Sequence, residues 1–434
     1  MRNNLIFATL FMASLADAQV LSFSKAYEMA VENSHQIRSS LYQLEANKQK
    51  IVQEKSAWYP QINFTASHRK TEFEINHLQH RDDYDLIENS TDLSLLLKQT
   101  VYDPAIDGRI DIENLRIKLN LAQIKLQKQD LAKKVLQIYL NILSSKNKIN
   151  LYNSRLKFNR LKLKAISKKY EMQLANKMEL FEIKVDINTL RIDLQKEQEM
   201  VKLYRFNLEH LIGEFEQKLP EIDLNRVNLN KIELMSKIVT EDEKFLSNIK
   251  IKQAIISKNL SKKEIRNSSM GHLPKISLNA SYNKFISEDA GVDYENTKKI
   301  MLEFRIPLYQ GGYVESKILS AKLQYSSASE DFISVKKEIQ IEYEQFLLSF
   351  NSAKKSITLY KEAMASAKLY LDSISQGFKN GLKSSVDLEE AQNRVNEVEY
   401  KYVENLYDII ESYAKLLILS DSFENLNLID EIVN

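Results

Sequence analysis

The chain has 434 residues but only 8 Gly and 5 Pro, a scarcity that excludes most all-β sandwiches and Gly-rich nucleotide-binding folds. Its charged fraction of 28% and hydrophobic fraction of 44% are typical of a folded protein, and a net charge of +2 does not indicate nucleic-acid binding. The chain contains no Cys, which excludes disulfides, thiol catalysis and thiolate metal sites. This composition favours very long helices.

Residues 1–18 have the pattern of a secretory signal peptide. A charged start at Arg2 precedes an apolar run from Leu5 to Leu15, and the run ends in the small-residue sequence Ala16-Asp17-Ala18. The alternative is a membrane anchor, but the run is too short to span a bilayer. We expect cleavage after Ala18.

The remainder of the chain contains two matching halves. The segment QINFTAS after Pro60 matches KISLNAS after Pro274, and the segment that follows Tyr170 matches the one that follows Phe378. Each half is predicted to contain a helix, two strands, a very long helix, a turn and a second long helix. We therefore expect a first repeat at 19–213, an inter-repeat segment at 214–245, a second repeat at 246–419 and a C-terminal tail at 420–434.

Four segments of about 9–11 residues alternate between apolar and polar side chains, which is typical of transmembrane β-strands. A half-buried soluble hairpin shows the same alternation, but four such strands, two in each repeat, favour the membrane. Trp58, Tyr59 and Tyr309 could lie at the membrane interface. The apolar positions are Ile62, Phe64 and Ala66; Leu93, Leu95 and Leu97; Ile276, Leu278, Ala280 and Tyr282; and Ile300, Leu302, Phe304 and Ile306.

Four strands are too few to close a barrel, for which about eight are the minimum. An open sheet edge in lipid would leave backbone groups without partners. If these strands span a membrane, several chains must therefore share one barrel, and three chains would supply twelve strands.

The long helices carry a seam of coiled-coil type. No Gly or Pro lies between Gly108 and Gly213, and apolar residues from Ile117 to Tyr170 recur at alternating steps of four and three. The second half repeats this seam from Ile339 to Phe378. We predict helices over about 109–172 and 313–380, and we interpret Lys-rich stretches such as Lys162-Leu163-Lys164 as solvated flanks of the seam.

Other candidate sites carry little signal. His77, His80, Asp82 and Asp83 could suggest a metal site, but His residues beside acids in a loop are usually solvated. No hydrolase or nucleotide-binding motif occurs. We expect neither an enzyme nor a bound cofactor or metal.

The order and spacing of SAWYPQINF, HLPKISLNASY, FRIPLYQGGYVESKI and GFKNGLKSSVDLEEAQNRV resemble the TolC family of outer-membrane efflux and secretion ducts. The resemblance implies a mainly α-helical homotrimer with a shared 12-stranded transmembrane β-barrel and a periplasmic α-barrel. It implies outer-membrane lipid, a periplasmic adaptor protein and a proton-driven or ATP-driven inner-membrane pump as partners, with no nucleic acid. The alternative is a periplasmic adaptor or other structural coiled-coil protein without a pore.

The family resemblance also assigns roles near the two helix-hairpin tips. Gln173, Leu174, Gly381 and Leu382 would dock the adaptor, with Gln173 standing where the family often has Gly. Asp387 and Glu390 match acidic positions that ring the entrance constriction. Lys383 and Glu179, with Phe378 and Tyr170, match a network that holds the entrance shut. From the residues alone, each of these charges could equally lie on a solvated helix face.

Overall fold

The computed structural model describes residues 20–75, 84–174, 176–220, 229–239, 243–287, 294–422 and 427–433. The predicted signal peptide and the residues His77, His80, Asp82 and Asp83 lie outside this part of the chain. The chain forms two compact units. One comprises Met1–Arg38, Lys125–Ile249 and Lys337–Asn434, and the other comprises Ser39–Ile124 and Lys250–Lys336.

The second unit contains a four-stranded antiparallel sheet in the order β1-β2-β3-β4. The strands are β1 (Gln61–Ile75), β2 (Tyr84–Tyr102), β3 (Lys275–Ser287) and β4 (Glu295–Arg305). The prediction of four strands, two in each half, is confirmed. β1 and β2 have 15 and 19 residues and are longer than expected, because their pairing continues past the apolar positions into a polar stretch.

Nine α-helices lie within the described residues. The two longest, α3 and α7, start close to Gly or Pro residues, as expected for a chain with few helix breakers. No described helix is both long and apolar enough to cross a membrane. The helices are α1 (Phe23–Asn33), α2 (His35–Ser56), α3 (Pro104–Glu171), α4 (Lys177–Ile212), α5 (Leu229–Val239), α6 (Ile249–Ser269), α7 (Tyr313–Lys379), α8 (Ser385–Leu419) and α9 (Asn427–Val433).

The predicted seam forms much of the helical core of the first unit. Its buried members there are Val135, Ile142, Leu156 and Ile166 on α3 and Ile339, Tyr343, Phe350, Ala353, Ile357, Ala367 and Ile374 on α7. Near the end of both helices the seam reaches the surface, because Tyr170 and Phe378 are exposed. The core therefore stops just before the hairpin tips.

The C-terminal segment is attached to the beginning of the chain. The Asp430 carboxylate of α9 accepts hydrogen bonds from the backbone N–H groups of Phe23 (2.7 Å) and Ser24 (3.1 Å) at the start of α1. These N–H groups have no partner inside the helix, so the acidic side chain caps them. The contact joins the two chain ends within the first unit.

Candidate functional site

The register of the sheet places the alternating apolar side chains of all four strands on one face. Phe64 is opposite Leu95, Leu95 is opposite Tyr282, and Ala280 is opposite Ile300. The other face is mostly polar, with exceptions such as Leu96 and Met301, and there the Ser94 hydroxyl donates to the Asn283 Oδ1 atom at 2.7 Å. The sheet is thus strongly two-sided, as the alternation predicts.

The apolar band crosses the sheet obliquely. In the row that contains Ala66 and Leu93, the positions on β3 and β4 are the polar residues Lys284 and Asn296. Further toward the helices, the order reverses. Gln99 on β2 is polar where β3 and β4 carry Leu278 and Leu302, and after a register shift Tyr102 on β2 is opposite Ile276, which pairs with Phe304.

This obliquity has a simple physical reading. Strands that close a barrel are tilted by about 35–45° from its axis. The hydrocarbon core of a membrane has constant thickness, so neighbouring tilted strands enter and leave it at successively shifted residues. The shift of the apolar band from β1 to β4 is the pattern expected for tilted strands in a membrane, and a soluble hairpin has no need of it.

The sheet has two free edges. Within the described residues, β1 pairs only with β2 and β4 pairs only with β3. Side chains on the apolar face remain exposed in the single chain, among them Phe64 (69%) and Ile300 (81%). Unpaired edges and an uncovered apolar face both require a further partner.

The two hairpin tips have the same backbone turn. At the first tip, the Leu174 N–H donates to the Lys169 carbonyl (2.8 Å) and the Gln173 N–H donates to the Tyr170 carbonyl (2.9 Å). At the second tip, Leu382 donates to Gly377 (2.8 Å) and Gly381 donates to Phe378 (3.1 Å). Both are Schellman motifs, which require a left-handed residue after the helix end.

Gln173 takes the same left-handed conformation as Gly381. Its φ is 59°, whereas that of Gly381 is 74°. The departure from glycine therefore leaves the fold of the first turn unchanged. Leu174 and Leu382, which follow in each tip, are 75% and 79% exposed and present an apolar side chain to solvent.

The next helix begins directly after each tip and is capped by a side chain. Asn176 Oδ1 accepts from the Met178 N–H (3.1 Å) at the start of α4. At the start of α8, Ser384 Oγ accepts from the Asp387 N–H (3.1 Å), and Asp387 Oδ2 accepts from the Ser384 N–H (2.8 Å). This reciprocal capping box fixes the position of Asp387.

Asp387 and Glu390, the predicted acidic pair, lie in the first turns of α8, where Asp387 is half-buried and Glu390 is exposed. Hydrogen bonds from the Ser384 backbone and hydroxyl, with the charge of Lys383, lower the pKa of Asp387. Asp387 is therefore a helix cap as well as a candidate ring residue. The sequence pattern of a serine three residues before an acidic residue could have revealed this cap.

The predicted network residues do not meet within one chain. Lys383 and Glu179 are exposed near the second and first tip, and no ion pair between them occurs among the described side chains. The Lys383 side chain lies over Gly377, where a Cβ would collide with it. Tyr170 and Phe378 are exposed at the equivalent ends of α3 and α7.

A partly buried ion pair near the tips was missed by the sequence analysis. Lys162 Nζ on α3 lies 2.7 Å from Glu389 Oε2 on α8, and the two side chains are 20% and 12% exposed. The interpretation of Lys162 as a solvated flank is therefore wrong, because α8 packs against that side of α3. The spacing of apolar residues along α3 could not show which neighbouring helix would cover the positions beside the seam.

Further along the two helices, hydrogen bonds between polar side chains also join α3 and α8. The Ser144 hydroxyl donates to Glu404 Oε1 (2.9 Å), and the Asn147 amide donates to the Tyr407 hydroxyl (2.6 Å). The contact between α3 and α4 contains the Lys148–Glu197 ion pair (3.8 Å) and, nearer the tip, an apolar cluster. Its members are Leu156, Ile166, Ile183 and Ile187, with Leu163, Leu180, Leu190 and Leu194 packed around them.

Two helices of the first unit leave apolar stripes uncovered. On α4 the exposed residues recur at helical spacing, so that they share one side of the helix. A second set is exposed along α7. The residues are Met178, Phe181, Val185, Ile192, Leu203 and Phe206 on α4, and Ile341, Leu348, Leu359 and Leu369 on α7.

The sequence matches the family model of outer membrane efflux proteins over residues 26–214 and 244–419. The chain is similar to outer membrane protein TolC of Escherichia coli, with 22% identity over 425 residues, or 93% of this chain and 84% of that protein. It is also similar to the proteases secretion protein PrtF of Dickeya chrysanthemi, with 22% identity over 432 residues, 93% of this chain and 90% of that one.

Among solved structures, the CmeC outer membrane channel of Campylobacter jejuni is similar, with a TM-score of 0.70 at 14% identity. The match covers 95% of this chain and 90% of that one. The predicted fold class, long helices with four antiparallel strands, is confirmed by this likeness and by the sheet and helices described above.

Proposed function

The chain belongs to the outer membrane efflux protein family, and from this premise we propose that three copies assemble into one gated, passive exit duct. It is an outer membrane protein of Gram-negative bacteria and a channel of tripartite efflux or type I secretion, not an enzyme. Within this duct, each copy contributes four strands to one barrel and its long helices to a helical wall.

The two free sheet edges are the observation that supports the shared barrel most strongly. β1 and β4 run antiparallel to each other, so β4 of one copy can pair with β1 of the next. Three such junctions close twelve strands and leave no edge in lipid. The oblique apolar band would then face the membrane, and the polar face would line the lumen. A pore-free adaptor would have no need of such a band.

The apolar stripes on α4 and α7 support contacts between copies along the helical wall. Side chains such as Phe206 and Leu348 are 67% and 70% exposed in the single chain. Covering them with equivalent helices of a neighbouring copy would remove apolar surface from water, at about 25 cal/mol for each Å². We assign these stripes to the interfaces of the trimer.

The hairpin tips form the periplasmic entrance in this proposal. Asp387 and Glu390 of three copies would supply six carboxylates around a narrow pore, which attracts cations. Lys383, Glu179, Phe378 and Tyr170 would make their closing contacts between neighbouring hairpins of the assembled trimer. Gln173, Leu174, Gly381 and Leu382 would meet a periplasmic adaptor, which joins the duct to an inner-membrane pump.

The proposed organisation of the precursor follows the two repeats. A signal peptide at 1–18 would direct export, and the repeats at 19–213 and 246–419 would each supply two strands and one hairpin. The segment 214–245 and the tail 420–434 would form an equatorial region. α5 and α9 lie in these two stretches.

Planar-bilayer recording tests the duct directly. Purified protein should give small, cation-selective conductance, because a closed entrance with an acidic ring restricts anions. Asp387→Asn with Glu390→Gln should weaken this selectivity. The control is Glu295→Gln, which removes a carboxylate from the polar face of β4 instead of from the hairpin tips. Absence of conductance at every pH would contradict the duct, and unchanged selectivity would contradict only the ring.

A further inference from the structure

The face of the sheet that carries the apolar band becomes basic at the end nearest the strand-to-strand connections. On β3 and β4, the first position beyond the apolar residues on this face is Lys284 and Lys298, respectively. On β1, His68 and then Lys70 follow Ala66. These four residues, His68, Lys70, Lys284 and Lys298, are called the basic rim.

The basic rim follows the oblique edge of the apolar band. Lys298 shares a row with Phe64, Lys284 shares a row with Ala66, and Lys70 lies two rows further toward the connections. Lys284 and Lys298 therefore lie next to the apolar boundary of their strands, and on β1 His68 lies between that boundary and Lys70. Because the strands of a barrel are tilted, an oblique edge of the apolar band lies at a single depth in a flat membrane.

Aromatic side chains accompany the cations. Lys284 Nζ lies 5.8 Å from the centre of the Tyr294 ring, and Tyr282, directly opposite Lys298, donates from its hydroxyl to Asn296 Oδ1 at 3.0 Å. Tyr294 is exposed. Aromatic rings with neighbouring cations are the side chains that settle at the level of lipid headgroups.

The cations on this face are concentrated at the boundary of the apolar band. Acidic residues lie further from the band on the same face, at Glu72 and Glu74 on β1 and Asp85 on β2. The opposite face at the same level has mixed charge, with Arg69, Asp92, Glu295 and Lys299. A merely solubilising distribution would give both faces similar charge.

From this arrangement we infer that the basic rim binds phosphate groups of anionic membrane lipids at the boundary of the membrane-facing band. The inference rests on the proposed function, because the band must lie in lipid. The helices join the opposite ends of the strands, so the basic rim lies at the membrane boundary remote from them. Lysine ammonium groups beside an apolar surface attract the phosphate groups of a charged membrane.

Two double variants of matched chemistry test the inference. Lys284→Gln with Lys298→Gln removes two rim cations, whereas Lys98→Gln with Lys299→Gln removes two lysines from the polar face of the same sheet. Lipid retention by the purified trimer is measured by native mass spectrometry during titration with phosphatidic acid or phosphatidylcholine. Inorganic phosphate at the same concentrations serves as a competitor.

The wild type should retain phosphatidic acid in preference to phosphatidylcholine. The rim variant should need a roughly thirtyfold higher concentration of phosphatidic acid, while the polar-face variant should behave as the wild type. Equal losses in both variants, no loss in either, or full competition by inorganic phosphate would overturn the inference. Channel recordings on the same samples separate the two proposals, since a conducting trimer without lipid preference contradicts only the basic rim.

Discussion

Gln173 and Gly381 occupy equivalent left-handed positions in two otherwise matching turns. A residue with a Cβ is strained in this conformation by about 1 kcal/mol, whereas glycine is not. The first tip therefore stores a cost that the second tip avoids. The sequence predicted both turns from their flanking helices, but it could not show that Gln173 would accept the dihedral angle of a glycine.

Substitutions at these two positions should change tip stability in opposite directions. Gln173→Gly should slow amide exchange at Leu174, and Gly381→Ala should accelerate exchange at Leu382, each by an amount equivalent to about 1 kcal/mol. Hydrogen exchange followed by mass spectrometry of the tip peptides measures both. Met172→Gly is the control, because Met172 is not among the left-handed residues. Equal protection at Leu174 in the Met172→Gly and Gln173→Gly proteins would contradict the assignment.

Asp387 makes the start of α8 dependent on pH. Its pKa is lowered in the folded protein, first by the Ser384 backbone hydrogen bond and then by the Ser384 hydroxyl and Lys383. The carboxylate therefore contributes stability above the pKa of an unfolded aspartate, about 3.9, and this stability is lost as the pH falls through the lower folded value.

We expect amide protection around Ser384 and Asp387 to stay constant from neutral pH to about pH 4 and to fall below it. Asp387→Asn should lower protection already at neutral pH and remove the acid dependence. Glu390→Gln, which leaves the capping box intact, is the matched control. If amide protection falls at low pH by the same amount in the Asp387→Asn protein as in the wild type, another group is responsible.

At the scale of elements, the contacts of α3 inside the first hairpin differ from its contacts with the second hairpin near the tips. α3 and α4 share an apolar cluster around Leu156 and Ile187, whereas α3 and α8 are joined there by the Lys162–Glu389 ion pair. Apolar packing tolerates little displacement, since interiors are close-packed. The Lys162–Glu389 pair therefore links the first hairpin to the second near the tips.

Breaking the Lys162–Glu389 pair should loosen the tips. Removing one partner of a buried pair leaves an uncompensated charge, and with partial exposure the cost is about 2 kcal/mol. We expect Glu389→Gln to raise the conductance of the closed channel in planar bilayers. The charge reversal Lys162→Glu with Glu389→Lys should restore much of the wild-type value, and Glu399→Gln on α8 serves as control. Failure of the reversal to restore it would indicate that Glu389 acts through other contacts.

The strands show where pattern reasoning succeeds and where it ends. Alternation identified Phe64, Leu95 and Ile300 as members of one face, because side chains in a strand alternate with period two. The oblique course of the band depends on which residues are opposite one another, and Ala66 and Lys284 fall in one row only through pairing of β2 with β3. Such register between distant segments is not encoded in either strand alone.

At the scale of the whole molecule, one chain has unpaired edges, exposed apolar stripes and exposed tip leucines. Each of these features is costly for an isolated chain and useful in a symmetric assembly. Repeat matching and family resemblance predicted the assembly, while contacts proposed to form across it, such as those of Lys383 and Glu179, cannot be read from a single chain. The trimer is thus the claim on which the other proposals depend.

Cysteine cross-linking of the sheet edges tests that claim most directly, since the natural chain has no Cys. Single substitutions at Ile62, Phe64 or Ala66 on β1 are each combined with Ile300→Cys or Leu302→Cys on β4 and oxidised in membranes. The control pair, Leu95→Cys with Tyr282→Cys, joins residues that are opposite each other within one chain. We predict covalent dimers and trimers, with nothing larger, for pairs that match one register, and monomers only for the control. Monomers alone in every β1–β4 pair, with the control fully oxidised, would contradict a barrel shared by three chains.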